Sequence, residues 1–516
     1  MNRNEMLQQL HCTAVWDIII IGGGATGLGT AVDAASRGYK TLLLEQYDFA
    51  KGTSSKATKL VHGGVRYLAQ GNIKLVTEAL KERGILLRNA PHVCHTQSFI
   101  IPCYSWWSKL YYGFGLKLYD LMAAQRSLGS TRIVNKRYVL EHLPGIKEQQ
   151  LKGGVVYTDG QFDDARLAVN LAQTAVEHGA AVINYCGVKE FVFTENKISG
   201  LIAADILGGE QYQLKAKAVI NATGVFADVL MKAANDNTAS IAPSQGVHIV
   251  INKKHFGGAD ALMIPKTTDG RVLFAVPWHN KVIVGTTDTA VDKTAIEPVA
   301  TGGEINFIIN NFNRYATTPI YKQDILSVFT GLRPLIKKEG VKGTAALNRH
   351  HAVFSSPSGL ITVTGGKWTT YRKMAEDAVD KAAQDVLHDK KNCLTAGLKI
   401  HGYTADKINS SLAVYGTDGA IIEAIGNEDK SLNEKLHPAH PFIKAEVIFG
   451  IRNEMAQTIE DVLARRTRLL FLDATAAMES ASTVAKLMAN ELQKDALWTE
   501  RQINDFTQLA KQYLLS

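Results

Sequence analysis

The sequence predicts an α/β protein, in which a Rossmann-like dinucleotide-binding domain is interleaved with a β-rich domain and followed by an α-helical C-terminal domain. Three observations lead to this prediction. A glycine-rich turn follows a short apolar run near the N-terminus, alternating strands recur through the middle of the chain, and helical periodicity prevails beyond residue 395. A chain of 516 residues, 46% of them hydrophobic, is also too long for one ordinary domain.

Segment 16–45 carries the first of these patterns. The isoleucines at 18–21 form an apolar run typical of a buried parallel strand. Gly22, Gly24 and Gly27 then give the spacing G-x-G-x-x-G at the predicted turn from strand to helix. In such a turn the first glycine permits the tight bend, the second lets a pyrophosphate approach the backbone, and the third allows the helix to pack on the strand. The N–H groups and positive dipole end of the helix then face the phosphates.

A second apolar run, Thr41–Leu44, ends at Glu45. This carboxylate is expected to accept hydrogen bonds from a ribose diol. Strand, turn, helix, second strand and acid thus occur in the order that predicts dinucleotide binding. A glycine-rich turn with an ion-paired Glu45 is the alternative.

Three later segments favour FAD over NAD as the dinucleotide. Residues 222–224 end a predicted strand that can return to the sheet beside the first strand. Residues 365–366 open a helix whose N-terminus can stabilise the anion formed on flavin reduction. Residues 53–55 are expected to add a second pyrophosphate contact. Each segment alone could be an ordinary turn, but the three rarely arise together in that way.

Composition excludes several other classes of protein. The chain has no apolar run long enough to span a membrane and no signal-peptide core at its start, so a cytoplasmic protein is expected. Its five cysteines lack C-x-x-C spacing, which argues against a disulfide framework and a zinc site, and no metal is expected. The net charge of +8 permits anionic substrates, lipids or nucleic acid as partners and selects none of them.

The predicted domain boundaries follow from these motifs. An interleaved unit is expected over residues 16–390, and a helical domain over 395–516. Within the interleaved unit, the FAD segments are expected at about 16–100, 155–225 and 325–385, and the substrate segments at about 100–155 and 225–325. Helices are expected at Ile73–Asn89, 167–178, 445–463 and 481–492.

Longer motifs resemble those of the FAD-dependent, respiratory glycerol-3-phosphate dehydrogenases. In chain order they are GGGATG at 22–27, TSS at 53–55, KLVHGGVRY at 59–67, DDAR at 163–166, ATG at 222–224, GTTD at 285–288, TGLRP at 330–334 and GGKWTTYR at 365–372. HGGVRY and GGKWTTYR are much more specific than the Rossmann glycines. Segments 445–447 and 460–469 are similar to the helical cap of that family. No counterpart of the calcium-binding extension of mitochondrial members is visible, which points to a bacterial-type enzyme.

The resemblance implies FAD as the cofactor and a fold of the glutathione-reductase/D-amino-acid-oxidase type. The expected cofactor contacts are Gly22, Gly24, Ala25, Thr26, Gly27, Glu45, Gln46, Thr53, Ser54, Ser55, Lys59, Leu60, His62, Gly63, Val188, Ala222, Thr223, Gly224, Gly331, Gly366, Lys367 and Thr369.

The implied reaction is oxidation of the C2 alcohol of sn-glycerol 3-phosphate to dihydroxyacetone phosphate, with hydride transfer to flavin N5. Arg66 and Arg333 are expected to bind the phosphate, because a guanidinium presents paired donors that match phosphate oxygens. Lys367 is expected near the substrate and the flavin edge, and Tyr67 as a hydroxyl donor to the substrate.

His62 and His248 are alternative acceptors of the hydroxyl proton, since histidine titrates near working pH. A histidine on an apolar strand is also commonly a hydrogen-bonded core residue, and that alternative stays open. The predicted catalytic residues are therefore His62, His248, Arg333 and Lys367.

Five other arginines are expected to have structural roles. Arg166 and Arg372 are expected to brace helices near the cofactor. The arginines at 465, 466 and 468 are expected either to form a solvated face or to brace two domains against each other.

Residues 104–122 form the most aromatic segment, with Lys109, Lys117 and Arg126 in it or just beyond it. Aromatic and basic residues favour a membrane interface. The segment is therefore expected to attach the protein peripherally to the inner-leaflet lipid surface on the cytoplasmic face, where a membrane quinone would accept electrons. The alternative is a packing helix at a domain or dimer interface, and a homodimer is left open.

Three rival functions are also compatible with the sequence. One is a glycerol-3-phosphate oxidase that uses oxygen, and another is an FAD-dependent amine or 2-hydroxy-acid oxidase. The third is a flavin-bearing protein that docks nucleic acid, which the scarcity of long Lys/Arg runs argues against, so no nucleic-acid partner is expected.

Overall fold

The computed structural model describes residues 1–64, 72–123, 128–238, 241–337, 350–406, 408 and 410–515. Arg66, Tyr67 and Arg126 therefore lie outside the described residues. The strands are β1 (Trp16–Ile21), β2 (Thr41–Leu44), β3 (Leu60–Val61), β4 (Cys94–Cys103), β5 (Arg132–Val134), β6 (Gly153–Phe162), β7 (Ala181–Ile183), β8 (Cys186–Thr194), β9 (Lys197–Asp205), β10 (Gln211–Asn221), β11 (Ile241–Asn252), β12 (Ala261–Ile264), β13 (Leu273–Trp278), β14 (Lys281–Gly285), β15 (Thr289–Ala290), β16 (Ile325–Ile336), β17 (His351–Ser355) and β18 (Leu360–Gly365).

The α-helices of the described residues are α1 (Arg3–Cys12), α2 (Ala25–Ser36), α3 (Ile73–Asn89), α4 (Trp106–Ala123), α5 (Lys136–His142), α6 (Asp164–Glu177), α7 (Ala227–Ala233), α8 (Gly302–Asn313), α9 (Tyr371–Ala382), α10 (Gly419–Glu428), α11 (Lys444–Glu454), α12 (Leu469–Leu472), α13 (Ala474–Leu492) and α14 (Ala496–Lys511). Helix α1 was not predicted from the sequence, because its polar sequence buries only Met6 and Leu10. An ion pair of 2.6 Å between Arg3 and Asp205 holds this helix on the protein.

The first sheet has the strand order β17-β18-β10-β1-β2-β7. From β18 to β7 the strands run parallel, whereas β17 is antiparallel, and β8 and β9 continue β10 as an antiparallel ribbon. Helices α2, α6 and α9 pack close to this sheet, and the isoleucines at 18–20 are 0% exposed. A parallel sheet built on such an apolar run confirms the predicted α/β fold class.

The second sheet is mostly antiparallel and has the order β15-β11-β14-β13-β12-β4-β6-β3, with β16 paired to β11 and β5 to β6. Strands β4, β6 and β16 lie wholly or partly in segments that sequence analysis assigned to the FAD domain. Their hydrogen bonds place them in the second sheet instead. The sequence could not decide this, because alternating apolar residues identify a strand but not its partners.

The C-terminal domain is helical from α10 to α14 and packs on the second sheet. Its apolar core includes Val250, Ile283 and Phe329 of that sheet. The predicted helix 445–463 is divided, because α11 ends at Glu454 and a separate π-helical turn covers Asp461–Arg466. Within the described part of 388–412 the structure has no helix, so the helical domain begins later than expected.

A buried ion-pair network joins this turn to the first domain. Asp48 accepts hydrogen bonds from Arg465 Nε at 2.5 Å and from Arg466 Nη1 at 2.6 Å. Burial alone would raise the pKa of Asp48, but Arg466 and Arg465 outweigh it and lower the pKa to about 2. A second aspartate, Asp164, pairs with Arg468 at 2.8 Å. Of the two expectations for these arginines, the structure shows the brace between domains.

The other two arginines predicted to be structural are also buried in ion pairs. Arg166 pairs with Glu454, and Arg372 pairs with Glu82 at 2.7 Å. Both side chains connect segments that are distant in sequence, which is the bracing role expected for them.

Replacement of Asp48 by asparagine should destabilise the protein strongly. The substitution removes the carboxylate that two buried guanidinium groups share, although Arg465 keeps Glu460 and Asp461 and Arg466 keeps Glu454. Removal of one partner from a buried ion pair costs about 3–5 kcal/mol in free energy of unfolding. Urea denaturation at neutral pH measures this loss. The pKa of Asp48 falls from an ordinary 3.8 to about 2 on folding. The difference in free energy of unfolding between the native protein and Asp48→Asn should therefore disappear as the pH falls through that interval.

The exposed pair Arg137–Glu141 provides the control for this measurement. Glu141→Gln should leave the unfolding midpoint unchanged, since exposed ion pairs contribute little. Equal midpoints for Asp48→Asn and the native protein would contradict the bracing role of the network.

Candidate active site

A cavity of about 700 Å³ lies between the two sheets. This volume is within the usual range for small-molecule and cofactor sites. Its wall is built from the turn after β1, the loop at 50–58, the ends of β10 and β18, and the inner faces of β11 and β16. The segments that sequence analysis selected separately are therefore neighbours around one space.

The glycine turn has the geometry that its sequence predicts. Gly22 has φ +111°, and a Cβ there would lie 2.8 Å from the carbonyl oxygen of Ala222. Gly24 caps α2, and the N–H of Ala25 donates to Ser54 Oγ at 2.9 Å. Gly27 lies against the turn, since an added Cβ would be 1.8 Å from the oxygen of Gly22. Because these positions are glycines, the side of the turn that faces the cavity consists of main-chain atoms and carries no side chains there.

Glu45 braces this turn from the end of β2. Its carboxylate accepts the N–H of Gly23 at 2.6 Å and the N–H of Tyr47 at 2.8 Å. Burial raises the pKa of Glu45, and the two backbone hydrogen bonds oppose that rise. A carboxylate has about four acceptor positions, so two remain for a ribose diol.

The remaining walls fit an extended flavin dinucleotide. Gly224 has φ +59°, and the space that a Cβ would occupy there is open. The Nε1 of Trp368 donates to the carbonyl oxygen of Ser54 at 2.8 Å, which ties the segment after β18 to the phosphate-facing loop. An open glycine wall beside the N-terminus of α2 is the surface that a pyrophosphate requires. These residues therefore fit FAD.

Most of the predicted cofactor residues line this cavity. They are Gly22, Gly24, Ala25, Thr26, Glu45, Gln46, Thr53, Ser54, Leu60, His62, Val188, Ala222, Thr223, Gly224, Gly331, Gly366, Lys367 and Thr369. Gly27, Ser55, Lys59 and Gly63 are absent from its wall.

Lys59 is the clearest correction among these four. Its ammonium donates to Ser55 O and to both carboxylate oxygens of Asp164 at 2.7–2.8 Å, which uses all three donors. Burial, followed by the nearby charge of Arg468, lowers the pKa of Lys59 to about 7. The side chain therefore stabilises the loop from behind and does not reach the cavity.

Ser55 and Gly63 also have packing roles. Ser55 is 1% exposed, and its carbonyl oxygen accepts from Lys59 and Arg468. A Cβ at Gly63 would lie 2.3 Å from the hydroxyl of Tyr119, so this glycine permits close packing against α4. Neither residue presents a side chain to the cavity.

Arg333 lies on the opposite wall and is 24% exposed. Its guanidinium donates to Thr286 Oγ1 and to the Thr287 carbonyl oxygen, both at 3.0 Å. A Cβ at Gly246 would be 2.3 Å from Arg333 Nη2, so the guanidinium occupies the place of a side chain on β11. The cation is thus held flat over the strand, beside the cavity.

His248 follows Gly246 by two residues and shares its face of β11. Its Nε2 lies 2.9 Å from Thr58 Oγ1, and its ring stacks on Phe329 with centroids 4.8 Å apart. Burial, then the charges of Arg333 and Lys59, lower the pKa of His248 well below 6.5. The imidazole is therefore neutral at physiological pH and able to accept a proton.

His62 and Lys367 also line the cavity. The backbone N–H of His62 donates to Thr369 Oγ1 at 3.2 Å, which links β3 to the segment after β18. Lys367 immediately precedes the short 3₁₀ helix Trp368–Thr370. Arg66 and Tyr67 lie outside the described residues, so their predicted contacts with the substrate stay predictions.

Several cavity residues were missed by sequence analysis. Thr58 gave no signal of its own, whereas Thr286 lies in the GTTD motif and Trp368 in the GGKWTTYR motif, so both could have been selected. An apolar wall was also missed, formed by Phe99, Tyr157, Met263, Val272 and Phe274. Four of them lie on the separate strands β4, β6, β12 and β13, and Val272 directly precedes β13, so only strand pairing brings them together.

Comparisons with known proteins show the family to which the chain belongs. A family described as FAD dependent oxidoreductase matches residues 17–372, and the C-terminal domain of alpha-glycerophosphate oxidase matches residues 360–501. The mitochondrial glycerol-3-phosphate dehydrogenase of Macaca fascicularis is 38% identical over 550 positions, which cover 99% of this chain and 75% of that protein. The Homo sapiens protein of the same name is 38% identical, over 97% of this chain and 74% of its own length.

Solved structures show the same likeness. The glycerol-3-phosphate dehydrogenase from Bacillus halodurans, complexed with FAD, superposes with a TM-score of 0.82 at 30% identity, over 99% of this chain and 97% of that chain. The FAD-bound L-alpha-glycerophosphate oxidase from Mycoplasma pneumoniae shares the fold, with a TM-score of 0.57 at 16% identity, over 77% of this chain and all of that chain.

Replacement of Gly24 by valine should yield folded protein without FAD. A Cβ at Gly24 would lie 3.0 Å from Ser54 Oγ, and the valine methyl groups would enter the pyrophosphate position. The ratio of absorbance at 450 nm to that at 280 nm in the purified protein measures flavin content. Gly302→Val is the control, because a Cβ there meets no atom within 4 Å. A yellow Gly24→Val protein with normal flavin content would refute this placement of the cofactor.

Proposed function

We propose that this chain, a member of the FAD-dependent glycerol-3-phosphate dehydrogenase family, oxidises sn-glycerol 3-phosphate to dihydroxyacetone phosphate and passes the electrons to a membrane quinone. One observation carries the proposal for the substrate. A single cavity joins the dinucleotide turn at Gly22 to a cation, Arg333, and a neutral imidazole, His248. Cation and base are the two groups that oxidation of a phosphorylated alcohol requires.

Arg333 binds the substrate phosphate in this proposal. Hydrogen bonds to Thr286 Oγ1 and to the carbonyl oxygens of Gln245 and Thr287 fix the plane of its guanidinium. These bonds use three of its five N–H donors, and the planar guanidinium suits phosphate oxygens better than the single point charge of a lysine. The phosphate end of the substrate is thereby anchored on β16.

His248 accepts the proton of the C2 hydroxyl. Its position two residues from Gly246 places the imidazole beside the Arg333 guanidinium, along one strand face. Bound FAD supplies the hydride acceptor at flavin N5. The apolar wall around Phe99, Met263 and Phe274 limits water around the reacting groups. Lys367, which lines the cavity directly before the 3₁₀ helix Trp368–Thr370, binds a substrate oxygen or the reduced cofactor.

The described surface of α4 supports attachment to lipid. Its outer stripe contains Trp107, Phe114 and Leu121, which are 83%, 77% and 75% exposed. These residues are seven apart and lie on one helical face, with Leu110 and Tyr111 between them. Soluble monomers rarely expose such contiguous apolar stripes. No helix within the described ranges is long and apolar enough to cross a membrane.

One of the predicted headgroup contacts needs correction. Lys109 is 8% exposed, and its Nζ donates to the carbonyl oxygen of Lys152 at 3.3 Å. It therefore stabilises the inner side of α4 and cannot meet anionic lipid. Lys117 is exposed beside the apolar stripe and keeps that role in the proposal. Arg126 lies outside the described residues.

Anaerobic mixing with glycerol 3-phosphate tests the substrate and the role of Arg333 together. The flavin absorbance of the native protein should bleach. For Arg333→Ala the second-order rate constant of bleaching should fall by roughly 30- to 1,000-fold, because a charge-assisted contact of about 2–4 kcal/mol is lost. Arg333→Lys should show an intermediate loss, since it keeps the charge but not the paired donors.

Glycerol is the matched substrate control, because it lacks the phosphate. Its slow reaction should be affected much less by Arg333→Ala. Equal losses for glycerol and glycerol 3-phosphate would show that Arg333 is not a phosphate ligand. Absence of bleaching in the native protein would refute the proposed substrate.

The triple variant Trp107→Ser, Leu110→Ser and Phe114→Ser tests the membrane surface. It should remain unbound in a flotation assay with anionic liposomes, because interfacial binding depends on buried apolar area. Reduction of a water-soluble dye should continue, while reduction of quinone embedded in vesicles should fall. Leu497→Ser removes a residue of similar exposure on α14 and should change neither result.

The same preparations distinguish quinone from oxygen as the acceptor. The proposal requires faster turnover with vesicle quinone than with air-saturated buffer. Peroxide formation at the full rate would favour the oxidase. Unchanged flotation of the triple variant would show that lipid contact lies elsewhere.

A further inference from the structure

The imidazole of His248 has one hydrogen-bond partner among the described residues. That partner is Thr58, whose Oγ1 lies 2.9 Å from Nε2. The other nitrogen, Nδ1, is buried and has no hydrogen-bond partner among the described residues. One ring face packs on Phe329, and the Cδ2 edge packs against Gly285. His248 itself lines the cavity wall but is only 2% exposed, and Thr58 is the one hydrogen-bond partner of its ring within the described part of the chain.

Thr58 lies beside that imidazole in the wall of the cavity. Its side chain is half-buried and lines the cavity wall. A hydroxyl can donate one hydrogen bond and accept others at the same time. Thr58 Oγ1 can therefore donate to Nε2 while it accepts a hydrogen bond from an alcohol bound in the cavity.

The residues on both sides of Thr58 are held by one buried carboxylate. The N–H of Ala57 donates to Asp164 Oδ2 at 3.0 Å, and Lys59 Nζ donates to both oxygens of the same carboxylate. Asp164 is itself 0% exposed and paired with Arg468. Thr58 is thus fixed by charge-assisted contacts on each side, as a proton-transfer group requires, since small displacements break the necessary alignment.

We propose that the Thr58 hydroxyl relays the proton of the substrate alcohol to His248, a step that rests on the proposed function above. The C2 oxygen–hydrogen bond breaks as its proton binds Thr58 Oγ1. The former Thr58 proton moves at the same time to His248 Nε2. The C2 hydrogen leaves as a hydride with two electrons, which the oxidised cofactor accepts. The products are the ketone, an unchanged threonine and an imidazolium.

This relay requires a particular tautomer of His248. Nδ1 must carry the hydrogen in the resting protein, so that Nε2 has a lone pair for the Thr58 proton. Two cations face the imidazole, Arg333 from β16 and Lys59 from the loop before β3. Both disfavour the imidazolium, and the phosphate dianion bound at Arg333 would offset part of that repulsion. Substrate binding would thereby prepare His248 to accept the proton.

Two substitutions of Thr58 test the relay in the FAD-loaded protein. Thr58→Val keeps the shape and removes the hydroxyl, and it should slow anaerobic flavin reduction by about 100-fold or more. The apparent Kd for glycerol 3-phosphate should change less than about threefold, because the phosphate contact remains. Thr58→Ser restores a hydroxyl and should recover most of the rate. Thr77→Val makes the same chemical change on the exposed side of α3 and should have no effect.

The pH dependence separates the relay from a merely structural role. In the native protein the reduction rate should fall at acid pH, where His248 becomes protonated. In Thr58→Val this acid limb should disappear, since His248 no longer takes part in the slow step. A uniform decrease in rate with an unchanged pH profile would overturn the relay.

A measurement without turnover tests the tautomer. Nitrogen-15 NMR of histidine-labelled protein, with His248→Gln used to assign the signal, should show a protonated Nδ1 and an unprotonated Nε2. The Nε2 signal should shift in Thr58→Val, which removes its hydrogen bond. A protonated Nε2 in the native protein would overturn the relay. Normal reduction by Thr58→Val would also refute it, whereas failure of the native protein to react would refute the proposed function instead.

Discussion

The buried pairing of two aspartates with three arginines is the interaction on which the rest of the structure depends. Asp48 and Asp164 belong to the first domain, whereas Arg465, Arg466 and Arg468 belong to a short C-terminal segment. Desolvation makes each of these charges costly unless the partner is present. The formation of all of these pairs therefore fixes how the C-terminal domain packs on the first domain. The same packing completes the support of the cofactor loop.

This constraint extends directly to the chemistry. Asp164 binds Arg468, Lys59 and the backbone N–H of Ala57 at once. The loop between Ser54 and Thr58 therefore has a charged, buried support behind it, while its other side faces the cavity. A residue that looked like a cofactor ligand, Lys59, proves to be part of this support. Its cation also helps to keep His248 neutral.

The second sheet lines the cavity and also packs against helix α4. One strand, β11, presents Gly246 and His248 to the cavity, and the neighbouring β16 presents Arg333. The apolar residues Phe99 and Tyr157, from β4 and β6, belong to the same core as Leu116 on the inner face of α4. The proposed lipid-facing helix is thus packed on strands that line the reaction cavity. A short path for electrons between cofactor and membrane would follow from this arrangement.

The sequence by itself determined the nucleotide-binding half of the protein. The glycine spacing of 22–27 and the apolar run before it specify one strand, one turn and one helix, all formed by residues that are neighbours in sequence. The α/β fold class was therefore predicted correctly. Tertiary structure alone decided the sheet membership of β4, β6 and β16, the inward direction of Lys59 and Lys109, and the contact of Thr58 with His248. Those features depend on which distant segments become neighbours, and neither residue type nor periodicity encodes that information locally. Buried charges are the extreme case, since Asp48 and Arg465 are ordinary polar residues until folding removes them from water.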